Sequence, residues 1–387
     1  MRNKTLAAAA LLAVLAVTGC GGNPTSSSVS SSIPTTSSSE EPQLEGTLNL
    51  IAGCEEPYMN AVADAFSKKY GVTVNAIRKS SGEIQTQIEN ENGSPSADVV
   101  FGGTTDPYNA LKAEGLLYQY TSVNDGKISN PQFKDTDHYW YGIYKGILGF
   151  MYNKEKVTNL GLDIPQTWDD LIKPEYRSNT GTGYVTWSHP QTAGTAKLVL
   201  NTIVQKKANG AKTTYKDKDG VDMTCYDDTA AMNYFAALDA NTAQYTKSGS
   251  GASKQVGTGD CIIGIGFLHD VIYQIVDNDY TTIDTVAPTD GTAFEVGATA
   301  MLKGCAHPNL AKKFIDFALT EDCVGLGQKN GSYQFLVIDG AKQPQAAIDA
   351  GLQQVNVMNY DFDDAKVNIG HYVDDWMTKV NVAAPTA

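Results

Sequence analysis

An apolar run, Gly264-Ile265-Gly266-Phe267-Leu268, ends in an imidazole and a carboxylate side by side, His269 and Asp270. A carboxylate accepts paired hydrogen bonds, and an imidazole donates or accepts. The pair therefore suits a metal, a catalytic set or the recognition of hydroxyl groups. Ser188 could complete a hydrolytic triad with them. It lacks the strained Gly-x-Ser-x-Gly elbow, and neighbouring side chains on a strand point to opposite faces, so catalysis is not expected. Neither a P-loop nor a dinucleotide fingerprint is present. Asp217-Lys218-Asp219-Gly220-Val221-Asp222 hints at a calcium loop but lacks the later bidentate glutamate. It reads as a hairpin turn.

Three other stretches share one design: hydroxyls, a glycine that admits close approach of backbone, then a helix start. They are Lys79-Ser80-Ser81-Gly82-Glu83, Gly102-Gly103-Thr104-Thr105-Asp106-Pro107 and Ser188-His189-Pro190-Gln191-Thr192-Ala193-Gly194-Thr195. A helix N-terminus offers unpaired N–H groups and a partial positive charge. Together the three stretches would form an anion site that needs no Lys or Arg. Ser80, Ser81, Thr104 and Thr105 could equally serve only as helix caps. Ser188, Thr192 and Thr195 are the stronger candidates, because a Gly-Thr step entering a helix suits phosphate oxygens. His189 is expected to face solvent.

Hydropathy patterning supplies the elements that position these residues. Strands are expected at 46–53, 72–77 and 97–103, and helices at 57–71, 82–92 and 107–117. A strand-rich stretch covers 138–153, whose aromatic rings read as hinge-strand core. Thr167 is the expected N-cap of a short helix after 164. Further strands are expected at 181–188, 261–269, 283–287 and 295–305, with helices at 193–207, 229–245 and 308–319. Alternation of strand and helix signals an α/β protein built on mostly parallel sheets. Ligands in such sheets sit beyond the carboxyl ends of strands. The candidate residues cluster in sequence at those ends.

Residues 1–20 combine a basic start, a short apolar run and small residues before Cys20, the pattern of a secretory leader. The run is too short to span a bilayer. Cys20 directly after Gly19 resembles the cut site of a bacterial lipoprotein, with Cys20 as the lipidated residue. Residues 21–43 are mostly Ser, Thr and Pro, a flexible tether. A net charge of −14 makes nucleic acid an improbable partner. Cys20 aside, Cys54, Cys225, Cys261, Cys305 and Cys323 fit no zinc spacing. Their odd number leaves at least one thiol free, and most are expected to be buried and inert.

From residue 44 onward the chain resembles the solute-binding proteins of ABC importers, in the ferric-iron-type branch that also holds sugar-phosphate, phosphonate and thiamine binders. The likeness rests on "SSGEIQTQIENENGSPSADVVFGGTTDPYNALKAEGLL" (80–117), "GILGFMYNKEKV" (146–157) and "PQTWDDL" (165–171). It continues through "SHPQTAGTA" (188–196), "GTGDCIIGIGFLHDV" (257–271), "GTAFEVGATAMLKGCAHPNLAKKFIDFAL" (291–319) and "YDFDDAKVNIGHYVDDW" (360–376). It implies a type II periplasmic-binding-protein fold with two lobes and a hinge. Lobe 1 would be 44–150 with a return through 286–340, lobe 2 would be 151–285, and 341–387 would pack on both. It implies a monomer that delivers a small anionic solute to a permease and its ATPase, touching the membrane only through the lipid. No cofactor and no bound metal are implied. Iron binders of this family carry a Tyr pair where this chain has His269 and Asp270, and Tyr273 stands alone. Sugar-phosphate binders show a His-Asp pair there and a Glu after a Gly-Thr turn, matched by His269, Asp270 and Glu295. The resemblance thus implies a hexose phosphate, with the sugar at these three residues and the phosphate at Ser80, Ser81, Gly82, Thr104, Thr105, Ser188, Thr192, Gly194 and Thr195. A phosphonate, a thiamine-type ligand and ferric iron are the alternatives, and a phosphate-ester hydrolase a distant one.

Overall fold

The computed structural model describes residues 44 and 46–380. Cys20, the leader and the tether lie outside the described residues. The chain opens with β1 (Thr47–Ala52), α1 (Glu56–Tyr70), β2 (Thr73–Arg78), α2 (Ser81–Glu91), β3 (Val99–Phe101), α3 (Thr105–Ala113) and short β4 (Leu117–Tyr118). Long β5 (Tyr141–Asn153) leads to α4 (Lys154–Leu160), β6 (Val185–Ser188) and α5 (Gly194–Ala208). A hairpin, β7 (Lys212–Lys216) and β8 (Asp222–Tyr226), precedes α6 (Thr229–Asp239), β9 (Thr242–Thr246), α7 (Gly251–Thr258), β10 (Ile263–Phe267) and α8 (Leu268–Val276). Then come β11 (Ile283–Val286), β12 (Phe294–Leu302), α9 (Pro308–Ala318), α10 (Glu321–Val324), β13 (Phe335–Leu336), α11 (Gln345–Asp349) and α12 (Phe362–Lys379).

The main strands run in the order β2-β1-β3-β12-β5-β10-β6-β9. Two parallel blocks, β2-β1-β3 and β10-β6-β9, lie at the ends, joined through antiparallel β12 and β5. β5 links the blocks. Its first half pairs with β12 and its second half with β10 and β11. Flanked on both edges and covered on both faces, β5 is buried almost throughout, as a continuous apolar strand must be.

Each block has its own core. Phe66, Phe101, Phe314 and Phe317 fill one beside β1 and β3. Trp168, Trp187, Phe235 and Trp376 fill the other, beside β6 and β10. Local chemistry sets the ends of the elements. Gly71 stops α1 at φ 69°, a left-handed conformation that glycine adopts without strain. Thr167 caps the turn Trp168–Ile172 in a reciprocal pair with Asp170. At 217–222 the Asp217 carboxylate accepts from the N–H groups of Asp219 and Val221, closing the β7–β8 turn.

Two expectations are corrected. The helix expected over 229–245 ends at Asp239 and gives way to β9. The Asn241 side chain donates to the carbonyls of Leu171 and Lys173, a tertiary tie that outweighs the continuing apolar period. His269 and Asp270 lie in the first turn of α8 rather than on the strand. All five described cysteines are free, and all but Cys305 are buried.

Candidate functional site

Six strands deliver the site. β1, β2, β3, β6, β9 and β10 each end where a helix begins, at α1, α2, α3, α5, α7 and α8 respectively. The residues at these junctions line one cavity of about 540 Å³ of empty space, partly open to solvent. Both parallel blocks contribute to its walls.

Glycines bring the junctions together. A Cβ at Gly53 would lie 2.8 Å from Gly103 Cα, and one at Gly82 would lie 2.9 Å from the Thr192 carbonyl oxygen. One at Gly194 would lie 2.3 Å from Thr104 Oγ1. No side chain fits at these spacings, so glycine is what lets the loops meet. Ser81 Oγ accepts from the Thr104 N–H at 3.2 Å, tying the second loop to the first. The Gly103 N–H donates to Tyr144 Oη at 3.0 Å, seating the same loop on β5.

The cavity draws in Ser80, Ser81, Thr104, Gly194, Thr195, His269, Asp270 and Glu295. Gly82, Thr105, Ser188 and Thr192 do not line it. Gly82 is the contact that admits the Thr192 backbone, and Thr105 faces a neighbouring recess behind Thr104 and Glu295. Thr192 Oγ1 donates to the His189 carbonyl. Ser188 is buried at the end of β6 and its hydroxyl makes no hydrogen bond to His269 or Asp270, so the triad does not assemble. His189 does not face solvent. It is fully buried, with its ring against Trp376 and Tyr245 and its Nδ1 accepting from the Gln191 N–H.

Tyr144, from the stretch read as hinge-strand core, also lines the wall, as do residues not singled out from sequence: Glu55, Arg78, Gln334 and the loop Ser248-Gly249-Ser250. The last repeats the hydroxyl–glycine–helix design in Lys247-Ser248-Gly249-Ser250-Gly251-Ala252-Ser253 and was readable by the same rule. Its Gly249 abuts Thr195, where a Cβ would fall 1.9 Å from Oγ1. Arg78 ends β2 and its Nε–H donates to the Cys54 carbonyl at 3.4 Å. The expectation of an anion site with no Lys or Arg is therefore corrected, because one guanidinium lines the wall.

Part of the cavity wall offers N–H groups. α3, α5 and α7 start at Thr104, Ala193 and Ser250 without any side-chain cap bond. Ser80 by contrast caps α2 in a capping box with Glu83. Several uncapped helix starts, with hydroxyls among them, form an electropositive wall for an anion.

The wall is also acidic. His269, Asp270 and Glu295 are each about 7 % exposed. His269 stacks on Phe267, with centroids 5.1 Å apart, above Gly146, where a Cβ would fall 2.6 Å from the ring. Gly146 pairs across the β5–β12 ladder with Glu295, so imidazole and carboxylate share this corner. His269 Nε2 lies 3.5 Å from Asp270 Oδ1. Burial lowers the imidazole to about 3 and keeps it neutral. Burial raises Asp270 well above the usual carboxylate range, with Glu55 adding to the rise and Arg78 opposing it. Glu295 is raised by burial and then by Asp106 and Asp270. Thr104 Oγ1, His269 Nδ1 and Glu295 Oε2 are buried without a hydrogen-bond partner in the protein. Such atoms are costly unless something polar meets them.

Among the described residues Tyr144 is the one tyrosine that lines the cavity, and burial raises its phenol well above the usual range. Tyr273 packs instead against Gly331.

The model of the bacterial extracellular solute-binding proteins matches residues 54–322. The chain belongs to that family. This solute-binding protein is 32% identical over 346 residues to an uncharacterized protein of Haemophilus influenzae, covering 88% of this chain and 92% of that one. It is 25% identical over 317 residues to the "probable ABC transporter periplasmic-binding protein" y4fP of Sinorhizobium fredii, covering 82% and 80%. Among solved structures it resembles the periplasmic binding protein AfuA of Actinobacillus pleuropneumoniae, whose structure holds exogenous fructose 6-phosphate. The identity is 32%, the TM-score 0.76, and the coverage 87% of this chain and 99% of AfuA. The architecture is accordingly the type II periplasmic-binding fold, and the cleft is that of a solute receptor rather than an enzyme.

Proposed function

We propose that the protein is the receptor of an ABC importer and that its cleft captures a small organic phosphate, with hexose phosphate as the preferred class. The observation that carries the proposal is the presence of two chemistries on the wall of one cavity. Uncapped helix starts, Ser81, Thr104, Thr195 and Ser248 suit a phosphoryl group, while Arg78 acts on Asp270 and Glu55. Asp270, Glu295, Glu55 and neutral His269 suit sugar hydroxyls, which donate to carboxylates and exchange hydrogen bonds with the imidazole. Fructose 6-phosphate in the related AfuA and the transporter role given to y4fP point the same way. In this reading the strands beyond each half of β5 are the lobes, with 44–150 plus 286–340 on one side and 151–285 on the other. The 341–387 segment packs on them, and β5 is part of the hinge. Cys20 carries the lipid, and the receptor works as a monomer beside a permease and its ATPase.

The three carboxyls also favour a second reading, an aminophosphonate whose ammonium would sit at Asp270 and Glu55. A thermal-shift screen separates the two. Hexose phosphates should raise the melting temperature by several degrees at concentrations where inorganic phosphate, phosphonates, thiamine and Fe(III) do not. A response to a phosphonate alone would favour the second reading, and a response to Fe(III) alone would overturn both.

A further inference from the structure

A second cluster of charged side chains lies outside the cavity. His371 and Asp375 stand one turn apart on α12 and so share a face. Asp228 meets them from the start of α6. One ligand-capable atom from each lies within 4.8 Å of the other two.

Independent features distinguish this cluster from a solvated acidic face. Asp228 occupies a position from which an aspartate ordinarily caps the helix, yet its side chain makes no cap bond to α6. It is 5 % exposed, its Oδ2 meets no N–H donor, and its carboxyl lies in hydrogen-bonding contact with that of Asp375. The His371 ring lies flat on Tyr215, with centroids 3.9 Å apart and planes 4° apart, which holds the imidazole in one plane. Lys379 stands 3.5 Å from Asp228 Oδ1 and bonds Asp375 Oδ2. Its ammonium satisfies one side of the pair of carboxylates and leaves Asp228 Oδ2 without an N–H donor.

We propose that Asp228, His371 and Asp375 form a binding site for a divalent transition-metal ion of the zinc type, which enters by displacing the Lys379 ammonium. One imidazole nitrogen with two carboxylate oxygens suits Zn²⁺, Co²⁺ or Ni²⁺ better than Ca²⁺ or Mg²⁺, which favour all-oxygen shells. A fourth position is left to water. The ion would clamp α12 onto α6, at a distance from the solute and without a part in its recognition.

Titration of the chelator-treated protein with Co²⁺, read by visible absorption, tests the site. One equivalent should bind. His371→Ala, at a half-buried position, should weaken binding at least tenfold with the circular dichroism of the fold retained, and so should Asp228→Asn. Lys379→Met removes the competing cation and should tighten binding. Solute affinity should not change in His371→Ala. The proposal is overturned by the lack of a saturable single site, by unchanged affinity in His371→Ala, by unchanged or weaker affinity in Lys379→Met, or by a thiolate-to-cobalt band that places the ion on cysteine.

Discussion

Asp270 and Glu295 hold the most consequential chemistry at the scale of single residues. If Asp270 receives sugar hydroxyls, Asp270→Ala should weaken hexose phosphate by about 10–100-fold, which is about 1.4–2.8 kcal/mol and in the range for leaving buried hydrogen-bonding groups unpaired. Inorganic phosphate should be nearly unaffected. Equal losses for both ligands in calorimetry would contradict the assignment. Glu295 makes a prediction about pH. Burial raises its carboxyl, so the folded ligand-free protein keeps a proton that the unfolded chain has released. Its contribution is fully present below about pH 4, the unfolded value, and is lost as pH rises toward the folded value. Glu295→Gln should therefore gain more melting temperature over the wild type at pH 8 than at pH 5. An equal gain at both would show that Glu295 is not held protonated. His269 and Asp270 drew notice because an imidazole-carboxylate step after an apolar run is rare in a plain core, and Glu295 entered only through the family resemblance. Arg78 and Glu55 were not legible. Arg78 closes a half-exposed strand, one residue before the loop whose hydroxyls drew notice. Glu55 precedes Pro57 in an ordinary helix start, and only the convergence of the strand ends gives either a role.

Helix starts matter more than any single hydroxyl at the scale of elements. Gly194→Ala would place a methyl within 2.3 Å of Thr104 Oγ1 and push the α5 start away from the α3 start. It should weaken hexose phosphate and inorganic phosphate alike, by about tenfold, which is about 1.4 kcal/mol. Loss confined to the sugar phosphate would argue against an anion wall shared by these helices. The strand–helix alternation was readable throughout the first block, because each strand is short and bounded by glycine or a cap. The second block was less so. The 229–245 segment keeps its apolar period through Asn241, and only the tie from Asn241 to Leu171 and Lys173 shows where the helix must end. That misreading also hid β9, and with it the Ser248 loop that β9 delivers. Placing His269 and Asp270 on a strand had a similar origin. The apolar run continues through Leu268 into Val271 and Ile272, and helix and strand cannot be told apart over so few residues.

Closure links the parts at the scale of the whole molecule. The cavity walls come from both parallel blocks, and β5 is the strand common to both. A ligand that bridges them should favour the closed form and stabilise the fold by mass action, by about 2.7 kcal/mol at a hundredfold excess over Kd. Small-angle scattering should then show a smaller radius of gyration with hexose phosphate than without, and no change with a sugar that lacks the phosphate. The presence of an anion-binding and an acidic chemistry on the wall of one cavity is the central claim, and calorimetry on the purified protein tests it most directly. Glucose 6-phosphate should bind at one site, at least tenfold tighter than inorganic phosphate and far tighter than glucose. Tight ferric binding with no binding of any sugar phosphate would contradict it.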